Sequence, residues 1–150
     1  EREDMYEYLA VASVNLGEAE RAANYLRTAI ERRPKAILYH TLGTTLLAME
    51  RLDEAEKALK EAIAMSEDSF LMEKSRLTLG EIYLRKGELD RSESQYRMIL
   101  EENPRSADAH FYLGEVYQER GDPERARFEW REAFKLDPNH VEALQRLQES

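Results

Sequence analysis

Three histidines, His40, His110 and His140, are the side chains best suited to acid–base or metal chemistry near neutral pH. No two of them are four residues apart, the spacing that would place two metal ligands on one side of a helix. The chain contains no cysteine, which excludes disulfides, thiol catalysis and zinc sites that use cysteine. The sequence therefore predicts structural or incidental histidines, no metal and no cofactor.

Carboxylates are abundant, but their spacing favours solvated helix surfaces over a catalytic acid–base pair. Glu54 and Lys57 are three residues apart, and Glu56 and Lys60 are four apart, which is typical of ion pairs along one helix. The chain has neither a glycine-rich phosphate loop nor the motif that presents a nucleophilic serine. Because no constellation supports a reaction, the sequence predicts a protein that is not an enzyme.

The charge balance excludes two classes of partner. The 150 residues include 22 Lys and Arg against 31 Asp and Glu, a net charge of −9, and the acidic excess is spread over both halves. Nucleic acids and anionic membranes attract proteins through Lys and Arg, so we expect neither as a partner. No apolar run reaches the ~20 residues that cross a bilayer, which predicts no membrane insertion. We expect a soluble chain and favour the cytoplasm, while the compartment and oligomeric state stay open.

An internal repeat of about 34 residues runs through the chain. Three similar tripeptides end in glycines at positions 43, 80 and 114, which are 37 and 34 residues apart. Two other markers both recur at spacings of 33, 37 and 34: a small residue at Ala22, Ala55, Ser92 and Ala126, and a loop residue at Pro34, Glu67, Pro104 and Pro138. Because independent markers share one register, the repeat is a structural unit.

Each repeat has the pattern of two helices joined by a tight turn. Leu79, Ile82 and Tyr83 recur at i, i+3 and i+4, the spacing of one helix face. Glycine follows the first helix in three repeats, where a helix C-terminus prefers it: Gly17, Gly87 and Gly121. Aspartate is the predicted N-cap of the second helix in three repeats: Asp53, Asp90 and Asp122. The repeat is therefore predicted to be a helical hairpin.

The period and the residue pattern resemble the tetratricopeptide repeat (TPR) family, most clearly over residues 107–140. The residues that carry the resemblance there are His110, Leu113, Gly114, Tyr117, Ala126, Trp130, Ala133 and Pro138. The resemblance implies an all-α fold, a right-handed α-α superhelical solenoid of about four TPR hairpins plus a C-terminal capping helix. We expect one domain, 1–150, with repeats at about 3–36, 36–69, 73–106 and 107–140 and the capping helix at 141–150. Since the sequence starts at Glu1 and not at methionine, we interpret it as a fragment of a larger protein.

The resemblance also assigns packing roles within each hairpin. A small residue lets the two helices approach closely, at Ala10, Gly43, Gly80 and Gly114 on the first helix. A large residue fills the space toward the next hairpin, at Leu26, Leu59, Tyr96 and Trp130. The aromatic residues Tyr83, Tyr96, Tyr117 and Trp130 are predicted to lie in the core. Asn139 and Glu142 have the spacing of a capping box at the start of the last helix.

In a TPR stack the first helices line the concave surface, and the resemblance places a partner-binding groove there. The predicted groove residues are Tyr8, Val11, Asn15, Thr41, Thr44, Leu77, Glu81, Leu84, Phe111, Tyr112, Glu115 and Glu119. Apolar side chains among them indicate a contact site, with Phe111 and Tyr112 as aromatic anchors. The alternative interpretation is that some of these side chains pack against neighbouring first helices.

The groove predicts the function of the protein, which is a non-catalytic scaffold that binds a peptide or helix of a partner protein. Counting the edges of the same helices, seven acids face three bases, which favours a basic ligand with apolar anchors. The acids are Asp4, Glu7, Glu81, Asp108, Glu115, Glu119 and Glu142, and the bases are Lys74, Arg85 and Arg146.

The alternative function is structural. The chain would then assemble or oligomerise through the ends of its solenoid, or through the insertion at residues 66–72. That insertion brings Phe70, Leu71 and Met72 together, either as local packing or as an accessory contact site.

Overall fold

The computed structural model describes residues 2–15 and 17–150, with side chains described from Met5 onward except at Leu16. Within these residues the chain is helical and has no strand. The helices are α1 (Arg2–Asn15), α2 (Ala19–Arg32), α3 (Ala36–Ala48), α4 (Leu52–Met65), α5 (Ser69–Arg85), α6 (Leu89–Glu102), α7 (Ala107–Glu119), α8 (Pro123–Leu136) and α9 (Val141–Glu149). Contacts group the chain into two compact units, Glu1–Ile82 (unit 1) and Tyr83–Ser150 (unit 2), whose boundary falls inside α5.

Unit 1 contains two helical hairpins that pack through small residues. α1 packs on α2 and α3 packs on α4, while α2 also packs on α3 and so joins the hairpins. Ala10, Ala22 and Ala55 are completely buried. A Cβ atom added to Gly43 would overlap the side chain of Leu59. The close approach expected from the small residues is therefore confirmed in this unit.

Unit 2 repeats this arrangement with aromatic residues in the large positions. α7 packs on α8, α6 packs on α7, and α9 packs on α8. Trp130 is 3% exposed and Tyr96 is fully buried. Tyr83 and Tyr117 are buried as well, so all four aromatic residues predicted for the core lie in it. These rings supply much of the buried apolar surface that stabilises the unit.

The insertion lengthens α5 by one turn. α5 has 17 residues, against 13 in α3 and in α7. Asp68 caps the added turn, because its Oδ1 accepts hydrogen bonds from the backbone N–H groups of Phe70 (2.8 Å) and Leu71 (3.2 Å). Leu71 and Met72 are half-buried, whereas the Phe70 ring is 69% exposed. The insertion therefore combines local packing with one open aromatic side chain.

A left-handed backbone residue ends the first helix of each hairpin. Gly17, Gly87 and Gly121 have φ of 76°, 76° and 78°. Glu50 occupies the same register position and has φ of 60°. A side chain in this region costs free energy that glycine avoids. At this turn of the second hairpin, Glu50 therefore adopts a backbone conformation that is unfavourable for a residue with a side chain.

We expect Glu50→Gly to raise the free energy of unfolding by about 0.5–1 kcal/mol, because the left-handed conformation is then free of Cβ strain. Urea denaturation followed by circular dichroism measures the change. Gly87→Ala is the matched control and should lower the free energy of unfolding by a similar amount. Loss of stability in Glu50→Gly would contradict this explanation of the turn.

The predicted N-caps are only partly correct. Asp122 does cap α8, accepting the N–H of Arg125 at 3.2 Å, and Pro123 fixes the first helical position. Asp53 and Asp90 lie inside the first turns of α4 and α6, so their prediction as N-caps was wrong. They correspond in register to Glu20 and Glu124, which are also first-turn acids. All four therefore stabilise the positive end of the helix dipole, while the N-cap residues of α4 and α6 are Arg51 and Glu88.

The last helix also begins with a different cap from the one predicted. His140, and not Asn139, is the N-cap of α9, and its Nδ1 accepts the N–H of Ala143 at 3.2 Å. Ser106 caps α7 through the N–H of Ala109. The capping-box prediction for Asn139 and Glu142 was therefore wrong, because the loop after Pro138 is one residue longer than the pattern assumed.

Candidate functional site

His40 lies beside a serine, which is the arrangement of an activated nucleophile. Its Nδ1 is 3.1 Å from Oγ of Ser75, so the pair joins α3 to α5. Ser75 is completely buried, however, and no substrate can reach its hydroxyl in this conformation. Burial lowers the pKa of His40, and Lys74 lowers it further. The pair therefore acts as a packing contact between two first helices.

His110 bridges two elements of unit 2. Its Nδ1 is 2.9 Å from Oε1 of Glu129 on α8, and its Nε2 is 3.3 Å from the carbonyl oxygen of Pro104 in the preceding loop. Glu129 is only 8% exposed. The hydrogen bond with Glu129 raises the pKa of His110, although burial opposes the shift. Protonated His110 can donate to both oxygen atoms, whereas the neutral ring can donate to one.

Stability should therefore decrease with rising pH through His110. Because its folded-state pKa is raised above 6.5, its contribution is complete below pH 6.5 and is lost as the pH rises through the folded-state pKa. The measurement is the free energy of unfolding in urea at pH 6 and at pH 9, for the wild type and for His110→Gln. We expect the wild-type advantage over His110→Gln to shrink at pH 9. An advantage that grows at pH 9 would refute this assignment.

His140 fixes the position of the last helix. It is 6% exposed, and its Nε2 lies 2.8 Å from Oδ1 of Asp108 on α7. Because Nδ1 accepts the Ala143 N–H, the hydrogen-bond network assigns the proton to Nε2. The ring also packs against Phe111, with 5.1 Å between ring centroids. All three histidines are thus engaged in packing, and across the described part of the chain no three His, Asp or Glu side chains converge as metal ligands.

The predicted groove residues of unit 1 present an open apolar surface. Tyr8 is 74% exposed and Val11 is 55% exposed, and Asn15 is exposed beside them on α1. On α3, Thr41 and Thr44 are half-buried. Their hydroxyls donate to the helix carbonyls of Ile37 and Thr41, both at 2.9 Å, so each side chain offers a ligand its methyl group and an oxygen that can only accept. We call this surface the unit 1 face.

Two contacts tie the helices that carry the unit 1 face. Nζ of Lys35, the N-cap of α3, lies 2.8 Å from Oε1 of Glu7 on α1. The pair of His40 and Ser75 joins α3 to α5, where Leu77 and Glu81 are half-buried. The face therefore lies on first helices held in a defined register.

Phe111 and Tyr112 of unit 2 pack against other side chains of the unit. Phe111 is 4% exposed, so for this residue the packing alternative holds. Tyr112 stacks on Tyr96 of α6, with ring centroids 5.5 Å apart and planes inclined by 14°. In the free chain Phe111 is thus no open anchor, because α9 and His140 take up the space in front of it.

Several of the predicted groove acids are paired within the chain. Glu115 accepts two hydrogen bonds from Arg146, at 2.8 and 3.1 Å, and this interaction raises the pKa of Arg146. Glu7 pairs with Lys35, and Asp108 with His140. Glu119 is exposed, and Leu84 is half-buried. The side chain of Asp4 lies outside the described residues. Simple charge counting thus overstated the negative field available to a ligand.

Sequence reasoning missed one residue of this surface. Ile37 on α3 is 48% exposed. It occupies the same repeat position as Lys74 and Asp108, which were assigned to the edge of the groove. An apolar residue at a position that carries charge in other repeats was the signal that could have identified it.

The fold and these surfaces define a class of protein built from stacked helical hairpins. Three protein-family models, each described as a tetratricopeptide repeat, match residues 4–35, 46–105 and 77–141. The chain belongs to the tetratricopeptide repeat family. A comparison with curated proteins finds no match.

Solved structures agree with this assignment. YrrB, described as a TPR protein with an unusual peptide-binding site, is 25% identical, with a TM-score of 0.81 over 95% of this chain and 73% of that chain. MamA from Desulfovibrio magneticus RS-1 is 17% identical, with a TM-score of 0.83 over 98% of this chain and 82% of that chain. The Cut9–Hcn1 hetero-tetramer of the APC/C is 19% identical, with a TM-score of 0.83 over 96% of this chain and 29% of that chain.

These relatives confirm the expected fold class, an all-α superhelical solenoid of TPR hairpins. The family and its members support a general role as a protein–protein interaction scaffold, and such scaffolds are typically non-catalytic. Across the helices described, none is long and apolar enough to cross a membrane.

Proposed function

We propose that this protein is a non-catalytic scaffold that binds a peptide or helix of a partner protein on its first helices, with the unit 1 face as the principal contact. The observation that carries the proposal is the exposure of Tyr8 and Val11, at 74% and 55%, beside threonines whose hydroxyl protons are already used within the helix. Exposed apolar side chains on adjoining helices are typical of contact sites. YrrB, the relative described as having a peptide-binding site, supports a ligand of this kind.

The chemistry of the unit 1 face selects an apolar anchor. Val11, Ile37 and the methyl group of Thr44 can bury an aliphatic or aromatic ligand side chain, and burial of such a side chain drives binding. Asn15 adds an exposed amide that can both donate and accept, so it can bind the backbone of an extended ligand. None of the five residues that define the unit 1 face is charged, so a charged ligand group buried there would lose hydration without gaining a partner of opposite charge.

Basic residues in the ligand would act at longer range. The net charge of −9 attracts a positively charged segment, and exposed Glu119 and Glu142 extend that field over unit 2. The paired acid Glu115 contributes less, because a ligand lysine would have to displace Arg146. We therefore propose a partner with apolar anchors that set the dissociation rate and Lys or Arg that mainly speed association.

Selection from a phage-displayed random peptide library tests the proposal. Wild type should enrich peptides with apolar anchors and Lys or Arg. The double variant Val11→Glu with Thr44→Glu should bind the resulting consensus peptide at least about tenfold more weakly in calorimetry, because it buries charge at the contact. Lys57→Glu, at an exposed position of α4, is the matched control and should bind as wild type does.

Rates measured on the same consensus peptide separate charge from apolar contact. Glu119→Lys with Glu142→Lys should slow association and flatten its salt dependence, and should leave dissociation close to wild type. These positions are preferred over Glu115, whose substitution would also break the contact with Arg146. An acidic consensus would disprove the basic character of the ligand. Undiminished binding to the Val11 and Thr44 variant would disprove the unit 1 face.

A second candidate function is assembly through the insertion or through the ends of the solenoid. The observation that favours it is Phe70, whose ring is 69% exposed and is contacted by the Lys74 ammonium at 4.8 Å. Sedimentation velocity distinguishes the two functions. Assembly through the insertion should be lost in Phe70→Ser and retained in Val11→Glu with Thr44→Glu.

A further inference from the structure

The added turn of α5 carries a pair of side chains that has no counterpart in α3 or α7. Phe70 and Lys74 are four residues apart and so share one side of the helix. In the register of the repeat, Phe70 corresponds to Arg33 and Pro104, which lie in the loops before α3 and α7. The aromatic ring therefore occupies a position that those two first helices do not reach. We call Phe70 and Lys74 together the α5 rim.

The ring and the ammonium group of the α5 rim are both open. The Phe70 ring is 69% exposed, and Nζ of exposed Lys74 lies 4.8 Å from the ring centroid, the geometry of a cation–π contact. Among the described residues no carboxylate lies within ion-pair distance of this Nζ, so its three N–H donors are left for another group. Its charge also acts on α3, because burial and then Lys74 lower the pKa of His40.

The neighbours of Lys74 along α5 explain why it lacks a carboxylate. Side chains three and four positions away are the ones that can pair with a lysine on a helix. At Lys74 these positions hold Phe70, Leu71, Leu77 and Thr78. None of the four is acidic and three are apolar, so a group that pairs with this ammonium has to bring its own carboxylate into apolar surroundings.

Lys57 on α4 is a useful contrast, because it is exposed as Lys74 is. Acidic residues stand three or four positions away from it, at Asp53, Glu54 and Glu61. These carboxylates of the same helix partly neutralise the charge of Lys57, whereas Lys74 has no acid at those spacings. Of the two lysines, Lys74 is therefore the one that suits a ligand carrying a carboxylate beside an apolar group.

We propose that the α5 rim docks a segment of a partner protein in which Asp or Glu stands beside a large apolar residue. The side-chain carboxylate pairs with Lys74, and the apolar side chain packs on the open area of the Phe70 ring. An exposed ion pair adds little affinity by itself, so the apolar contact supplies most of the binding and the charge selects the partner. This inference rests on the second candidate function, assembly through the insertion, and names the partner.

A second copy of this chain is the less suitable occupant of the α5 rim. Each copy has a net charge of −9, so two copies repel each other at long range. A different protein that presents a single carboxylate among apolar side chains avoids most of this repulsion. Assembly through the insertion is therefore expected to join this chain to another protein.

The probe is a phage-displayed random peptide library, selected on the full chain with Val11→Glu and Thr44→Glu so that binding at the unit 1 face does not contribute. The same chain with Phe70→Ser added serves for counter-selection. Enriched peptides are then synthesised with acetylated and amidated ends, which leaves only side-chain carboxylates, and are titrated by calorimetry. Lys57→Glu is the matched control for Lys74→Glu, and circular dichroism checks that each variant is folded.

We expect the enriched peptides to carry Asp or Glu within a few positions of a large apolar residue. Phe70→Ser should weaken their binding at least about tenfold, and Lys74→Glu about fivefold, while Lys57→Glu should bind them as its parent does. Replacing the acid of the peptide by lysine should weaken binding to the parent chain and restore it in Lys74→Glu. This exchange of charges would not occur if Lys74 had only a structural role.

The possible failures are distinguishable. No enrichment, or enrichment that Phe70→Ser leaves unchanged, overturns both the inference and assembly through the insertion. Binding that requires Phe70 but is indifferent to the charge at position 74, or to the acid of the peptide, overturns the inference alone. Self-association of the wild type that Phe70→Ser abolishes in sedimentation velocity also overturns it, because a second copy would then be the occupant.

Discussion

Replacing Gly114 with leucine is expected to lower the free energy of unfolding by roughly 3 kcal/mol or more, because the side chain must enter an occupied space. A Cβ atom at this position would lie 2.5 Å from Nε1 and 2.6 Å from Cδ1 of Trp130, and 3.0 Å from the backbone oxygen of Ala126. The backbone oxygen cannot move aside without separating α7 from α8. Thermal unfolding should show a melting temperature lower by about 6 °C or more.

Gln118→Leu is the matched control for this prediction, since it places the same side chain on an exposed position of the same helix. It should change the free energy of unfolding by no more than about 0.5 kcal/mol. Equal melting temperatures for the two variants would show that Gly114 does not lie at a close helix contact.

Trp130→Ala is expected to lower the free energy of unfolding by about 3–5 kcal/mol, because it removes the largest side chain of unit 2 from a buried site. Trp130 is 3% exposed. The cavity left behind faces Gly114, which has no side chain to fill it. Urea denaturation measures the loss, provided that the dependence of the free energy of unfolding on urea is the same in both proteins. Circular dichroism must replace fluorescence as the signal, because Trp130 is the chain's single tryptophan.

The double variant Gly114→Leu with Trp130→Ala distinguishes the two mechanisms. The leucine should occupy part of the cavity, so the combined loss should be smaller than the sum of the single losses. The exposed Phe128→Ala on the same helix is the control and should cost far less. A combined loss equal to the sum would mean that the two side chains do not share one space.

Packing could be predicted from the sequence because it depends on residue size at fixed spacing. A recurring small residue predicts a close helix contact whatever its neighbours are, and Gly43 against Leu59 and Gly114 against Trp130 confirm this. The aromatic core residues followed from the same spacing.

Capping and charge could not be predicted in the same way. The N-cap of α9 depends on loop length, which placed His140 one residue beyond Asn139. The pairing of Glu115 with Arg146 joins residues 31 apart, so no short-range pattern reveals it. Phe111 is buried because His140 folds over it, and that contact also spans nearly one repeat. Groove residues were thus predicted by position, while their accessibility depended on neighbours one hairpin away.

Polar contacts between neighbouring repeats make the order of the repeats specific. Glu115 pairs with Arg146, and Asp108 with His140, each about one repeat apart. The corresponding residues of the second hairpin are Thr44 and Ile37, neither of which carries the carboxylate that both contacts use. Small and large apolar residues recur in every hairpin, so shape alone would allow hairpins to be exchanged. A chain with its hairpins shuffled would retain its core spacing and lose its polar junctions, so the repeats, although similar in sequence, are not interchangeable parts.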